Sequence, residues 1–243
     1  MFPTIQVGPF TVQTPGFAYL IGISLGLSLS DKWSSRFQVE GSTLQDLIFR
    51  FFIAGILGAR LTYVASAPRF FLQHPLSAVS LNPLLLDIKG GILIAVLFAG
   101  IFANRKGIFR WKTLDALTPF AAMIYISTGV SHLASGKAYG APTDLPWGIN
   151  LWNATRHPTQ IYEICFAVVT FGAVWYAAHH PPKGSGGTFA LFSILTSLGY
   201  LLTTAFLGDS RYLISGIRVE QLSAYLVLAL SLWLFGKTIP KEG

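Results

Sequence analysis

Apolar residues in this chain come in long runs, and polar residues gather in the gaps between them. Seven runs, near residues 16–30, 44–66, 91–103, 114–134, 160–178, 187–207 and 219–235, approach the length an α-helix needs to cross a bilayer, about 20 mostly apolar residues. The first is short unless residues 11–15 extend it, and the third is short as well. A further apolar stretch, 76–86, holds Asn82 and Pro83. It is too short and too interrupted to span, so it reads as a re-entrant or interfacial segment. The pattern predicts an all-α integral membrane protein with about seven transmembrane helices. No repeat, low-complexity tract or long linker divides it, so residues 1–243 read as one domain.

Basic residues set the direction, because cytoplasmic loops carry an excess of Lys and Arg. With the amino-terminal segment outside, the inner segments hold Lys32, Arg36, Arg105, Lys106, Arg110, Lys112, Lys183, Lys237 and Lys241. The outer segments hold Arg69, Lys89, Lys137, Arg156, Arg211 and Arg218, and Arg50 and Arg60 fall inside spans. This balance predicts an N-out, C-in arrangement with the 139–163 loop on the outer side. The first ten residues carry no Lys or Arg, a poor secretory signal, so the segment is expected to be retained.

Composition agrees with the pattern. The chain is 52% hydrophobic and 11% charged, against roughly 25% charged residues in a soluble domain. A net charge of +7 might suggest nucleic acid, but the basic residues sit in short loops without basic, aromatic-interleaved helices. Anionic lipid fits them better. Cys165 is the one cysteine, so no disulfide framework or cysteine metal site exists, and it reads as a packing residue.

Polar groups at membrane depth carry the chemistry. An Arg near the bilayer centre costs on the order of 3 kcal/mol, so Arg50 and Arg60 need partners. Asp46 is four residues before Arg50 and shares its helix face. Arg60 follows Gly55-Ile56-Leu57-Gly58-Ala59, a small-residue surface that lets a neighbouring helix approach. It reads equally as a phosphate-binding group or a structural one. Lys89-Gly90-Gly91 opens the third span, with Asp87 as a possible partner of Lys89. Free N–H groups at a helix start favour anions, and a desolvated Lys can act as a base. The plainer alternative is a snorkelling interfacial lysine. His132, near the end of the fourth span, is suited to moving a proton or simply to packing. With no second His and no carboxylate at ligand spacing, no metal is expected there.

The densest constellation runs from Tyr139-Gly140-Ala141-Pro142-Thr143-Asp144-Leu145-Pro146-Trp147-Gly148 to Arg156-His157-Pro158-Thr159-Gln160-Ile161-Tyr162-Glu163. Pro158 suits a first helical position, with His157 or Thr159 as the cap. Glu163 is favoured near the positive helix end, and Arg156 is placed to fold back onto it. A rigid helix start explains Pro158 and Glu163. It leaves Arg156, His157, Gln160 and Tyr162 together unexplained, and these are candidate lipid-binding residues along with Tyr139.

These segments resemble the prolipoprotein diacylglyceryl transferase family. The 139–148 and 156–163 segments are near-literal matches. Val7-Gly8-Pro9-Phe10 and Gly16-Phe17-Ala18-Tyr19-Leu20 resemble the family's amino-terminal arm and first span. Gly58-Ala59-Arg60-Leu61-Thr62-Tyr63-Val64 resembles its second-span motif, and Gly90-Gly91 its glycine pair. The resemblance implies a seven-helix bundle with a small outer-side head region and a cavity open to lipid, in a bacterial plasma membrane. It implies transfer of a diacylglyceryl group from phosphatidylglycerol to a lipoprotein cysteine thiol, with glycerol phosphate leaving and no cofactor.

The chain departs from the family at several positions. Lys89 stands where the family has His, and Thr14-Pro15-Gly16 where it has Trp-Tyr-Gly. Aligned backward from Tyr139-Gly140, two Asn positions become His132 and Ser135 and a Glu becomes Lys137. The signature Arg has no counterpart near Gly129, and Thr196, Tyr200 and Thr204 lie where the sixth span carries Tyr, Arg and Glu. On this reading Lys89 and His132 are the candidate catalytic residues. Arg60, Gly90, Gly91, Tyr139, Arg156, His157, Gln160, Tyr162 and Glu163 are the candidate lipid- and phosphate-binding ones. An anionic phospholipid is the expected partner, with a lipoprotein precursor or a larger membrane complex beside it. The alternative is a non-catalytic member serving as a lipid-binding subunit of such a complex.

Overall fold

The computed structural model describes residues 4–8, 10–80, 82, 85–108, 110–180, 185–210 and 218–238. Pro9, Pro83, Lys183, Arg211 and Lys241 lie outside the described residues. A β-hairpin of β1 (Thr4–Val7) and β2 (Phe10–Gln13) leads into α1 (Thr14–Ser34) and α2 (Gly41–Ser66). The short α3 (Pro68–Gln73) and a 3-10 turn (Pro75–Val79) precede α4 (Ile88–Arg105) and α5 (Trp111–Ser135). A second hairpin, β3 (Ile149–Leu151) and β4 (Ala154–Arg156), is followed by α6 (Thr159–His179), α7 (Gly187–Ala205) and α8 (Val219–Thr238). The seven predicted runs thus each fall on one long helix. Of these, α2, α4, α6, α7 and α8 are long and apolar enough to cross a membrane.

Both hairpins are absent from an all-helical expectation, and both have local causes. Gly8 turns the first with φ +62°. Trp152 and Asn153 turn the second with φ +53° and +58°, the two consecutive positive angles that a tight antiparallel hairpin requires.

The arrangement is inverted relative to a water-soluble bundle. Large apolar side chains such as Leu20, Phe49, Leu61, Val169 and Leu226 point outward, each more than three-fifths exposed. Alanine, glycine and hydroxyl residues fill the interior, among them Ala95, Ala122, Ala167, Thr118, Thr170 and Thr204. Small residues let helix backbones approach where lipid removes the hydrophobic drive between helices. The interior hydroxyls bond back to their own helices: Ser127 to Met123 O, Thr128 to Ile124 O, Ser197 to Ser193 O and Thr203 to Gly199 O. Such back-bonding satisfies each of these hydroxyls in an apolar medium.

Helix α5 is the hub, packing on α1, α6 and α7. It carries Pro119 within its span and buried Thr113, Asp115, Thr118, Ser127 and Ser131. These neighbours shield its polar residues, which explains why it is a long helix without being among the most apolar. Asp115 accepts hydrogen bonds from Gly186 N (2.5 Å) and Phe189 N (2.8 Å), tying the start of α7 to α5. One apolar cluster, Trp33, Phe37, Leu44, Ala116 and Ala178, closes the same end of the bundle.

The small-residue surface on α2 receives α4. A Cβ built on Gly91 would lie 2.7 Å from both the Ala59 Cβ and the Gly55 carbonyl oxygen, and one on Gly58 would lie 2.7 Å from the Ile94 Cβ. Gly91→Val therefore forces two helix backbones apart, and overpacking of this kind costs about 1–3 kcal/mol. The expected result is a lowered unfolding midpoint in detergent, while Gly100→Ala, which meets nothing within 4 Å, leaves it in place. Equal midpoints for Gly91→Val and the unaltered protein would contradict this crossing. The predicted Asp46–Arg50 pair forms as well: Arg50 Nε donates to both carboxylate oxygens at 2.9 Å, and its guanidinium sits 4.5 Å over the Phe102 ring.

Candidate active site

The 139–163 loop is woven into the ends of α5, α6 and α7. Ala141 N donates to Phe206 O (2.7 Å), Gly208 N to Tyr139 O (2.8 Å) and His157 N to Ala141 O (3.0 Å). Gly140 lies so close to the His157 backbone that any Cβ there would collide with the His157 carbonyl. Thr159 Oγ1 donates to Ala138 O (2.6 Å), and fully buried Gln160 donates through Nε2 to Lys137 O (2.9 Å). These bonds fix the first turn of α6 against the end of α5. The helix begins at Thr159, with Pro158 in the flanking position and no side-chain cap. The expected Pro158 placement shifts by one residue, and neither His157 nor Thr159 caps, because the Thr159 hydroxyl is bound to Ala138.

Arg156 does not fold onto Glu163. Its Nε donates to Leu151 O (3.0 Å) and Nη1 to Gly140 O (3.3 Å), with the guanidinium 5.0 Å over the Tyr139 ring. It braces the loop. Glu163 turns instead to α5, where Oε2 lies 2.7 Å from His132 Nδ1. The carboxylate that His132 lacks in sequence is thus supplied by the neighbouring helix. With a carboxylate on Nδ1, the imidazole presents Nε2 as the free nitrogen.

This pair borders a cavity of about 340 Å³ walled by Tyr125 and Thr128 of α5, Thr196, Ser197 and Tyr200 of α7, and Ser223 of α8. Tyr125 was not singled out by the sequence, because an aromatic in an apolar run reads as packing. A second cavity, about 540 Å³, lies under the 139–163 loop and is lined by Leu145, Trp147, His157, Tyr162, Phe166 and Phe206. Trp147 Nε1 donates to Tyr162 Oη (2.8 Å), and His157 packs on Phe206 with centroids 4.8 Å apart. Of the candidate residues, His132 and Glu163 meet in the first cavity, and His157 and Tyr162 in the second.

Lys89 and Arg60 sit elsewhere. Lys89 is exposed in the first turn of α4, which packs on α2, and lines neither cavity. The Asp87 side chain accepts from Lys89 N (3.2 Å) as the cap of α4. Gly90 and Gly91 face Thr62 and Ala59 of α2. Arg60 reaches back into the loop after α3, donating from Nε to Ala78 O (2.6 Å), from Nη1 to Leu85 O (2.7 Å) and from Nη2 to Ser77 O. Leu76 and Val79 of that loop are more than three-quarters exposed.

A sequence model of the family described as prolipoprotein diacylglyceryl transferase matches residues 3–236. The chain belongs to this family. The phosphatidylglycerol–prolipoprotein diacylglyceryl transferase of Nitrosomonas europaea is 32% identical over 192 residues, covering 74% of this chain and 68% of the relative. The protein of the same name in Bordetella parapertussis is 27% identical, covering 77% and 75%. That of a Synechococcus species is 26% identical, covering 97% and 93%. Family membership therefore extends over the helices that build both cavities.

Proposed function

We propose that this protein transfers a diacylglyceryl group from phosphatidylglycerol to the cysteine thiol of a lipoprotein precursor, in a bacterial plasma membrane. The observation that carries the reading is the His132–Glu163 contact, 2.7 Å across α5 and α6, inside a hydroxyl-lined cavity of a chain that belongs to the transferase family. On this reading all seven long helices span as one domain, with the outer loop and the segment before α1 outside and α8 ending inside. The excess of basic residues on the opposite side supports that direction.

Glu163 holds the imidazole by Nδ1, so Nε2 takes the thiol proton. The thiolate attacks the glyceryl carbon bonded to phosphate oxygen. A carbon–sulfur bond forms, the carbon–oxygen bond breaks, and its electron pair leaves on glycerol phosphate, which recovers the proton from the imidazolium. The remaining N–H groups of Arg156, just before the helix that carries Glu163, supply positive charge toward the phosphate, while Lys89 and Arg60 lie on the α2–α4 side and are left out of this step. Tyr139, His157, Gln160 and Tyr162 hold the outer wall against the lipid.

The test is direct. The purified chain in phosphatidylglycerol vesicles is incubated with a peptide carrying a lipoprotein-type acceptor cysteine, and the peptide is weighed. A diacylglyceryl adduct on the thiol is expected. An unmodified peptide, under conditions where a reference transferase modifies it, would overturn the proposal.

A further inference from the structure

We propose that Tyr125 and Thr196 form a hydroxyl pair that reads the polyol end of the donor lipid, so that the cavity beside His132 selects its lipid by headgroup hydroxyls. The inference rests on the transferase reading and deepens it. Tyr125 Oη and Thr196 Oγ1 are both buried and have no hydrogen-bond partner among the described residues. Both line the cavity that His132 and Glu163 border. Three other wall hydroxyls are committed: Thr128 to Ile124 O, Ser197 to Ser193 O and Ser223 to Glu220 O. Buried polar groups are almost always satisfied in folded proteins, so two open hydroxyls on one cavity point to a ligand that satisfies them.

Space and charge narrow the ligand class. A Cβ on Gly199 would come 3.0 Å from the Tyr125 hydroxyl, so glycine at that position keeps room for the hydroxyl and whatever it binds. Among the described lining residues none is Lys or Arg. Glu163 borders the cavity. A phosphate placed beside that carboxylate in a low-dielectric site is repelled. A polyol is uncharged, and each of its hydroxyls both donates and accepts, which matches Tyr and Thr hydroxyls. The cavity, about 340 Å³, lies within the range of small-molecule sites. The glyceryl end of phosphatidylglycerol and the sugar of a glycosyl diacylglycerol share this chemistry, with the phosphate of the former left to the basic residues outside the cavity.

The experiment uses the full chain in phosphatidylcholine nanodiscs doped with one test lipid, and native mass spectrometry reads which lipid stays bound. Phosphatidylglycerol is expected to be retained at least about tenfold better than phosphatidate, which has the same diacylglyceryl phosphate without the polyol. Retention of a glucosyl diacylglycerol would show that the sugar source suffices; its loss would confine the selection to the glyceryl headgroup. Tyr125→Phe combined with Thr196→Val should erase the gap, and Thr196→Ser should preserve it. Equal retention of phosphatidate and phosphatidylglycerol by the unaltered protein overturns the inference whether or not the variants fold. Selective retention without thiol transfer would sink the transferase reading and leave this one standing.

Discussion

His132→Ala lowers diacylglyceryl transfer by about 10²–10⁴-fold, the range that positioned general acid–base groups contribute. The loss is expected in turnover, with lipid retention little changed, because the imidazole moves the thiol proton and does not hold the lipid in place. Glu163→Gln keeps a hydrogen bond to Nδ1 but removes the charge that stabilises the imidazolium, so it falls between the unaltered protein and His132→Ala. Lys89→Ala behaves differently. The lysine is exposed on α4 and lines neither cavity, so its loss leaves both turnover and the lipid concentration needed close to those of the unaltered protein. Rates measured across a phosphatidylglycerol series separate the two patterns. A turnover collapse in Lys89→Ala with His132→Ala near normal would reverse the assignment of the base.

Arg60→Ala frees the loop after α3. The guanidinium holds Ser77 O, Ala78 O and Leu85 O at once, and hydrogen bonds to a charged group contribute about 1.5–3 kcal/mol each. Partial exposure reduces this, so a total of about 3 kcal/mol is expected. Arg60→Lys recovers little, because a single ammonium nitrogen lacks the planar spread of three nitrogens with which the guanidinium reaches three separate carbonyls. Limited proteolysis should cut the 74–85 segment in Arg60→Ala and leave it intact in the unaltered protein. Equal resistance in both would assign the arginine to lipid instead.

The helices are legible because length and hydropathy decide what lies in a bilayer, and Gly55 and Gly58 mark α2 as a surface for close helix approach without saying that α4 is the partner. The Asp46–Arg50 pair followed from spacing on one helix. The site followed less well. Glu163 and His132 are 31 residues apart, and nothing in either segment announces the other; only the packing of α6 on α5 joins them. Arg156 was aimed at Glu163 because both lie at one helix start, yet nearby carbonyls at Leu151 and Gly140 satisfy it first. Arg60 remained open between lipid and structure because its partners lie on a loop whose path the sequence does not fix. Tyr125 gives no signal, since a lone hydroxyl in an apolar run usually reads as packing, and Thr196 stands out only as a position where the sixth span departs from the family.

The central claim is that this chain places a diacylglyceryl group on a lipoprotein cysteine through His132. It is tested most directly in a strain depleted of its own diacylglyceryl transferase, expressing either this chain or its His132→Ala variant at matched membrane levels. The measurement is the intact mass of one reporter lipoprotein. The account predicts a diacylglyceryl-bearing reporter with the unaltered chain and an unmodified precursor with the variant. An unmodified reporter in both, or a modified one in both, would contradict it.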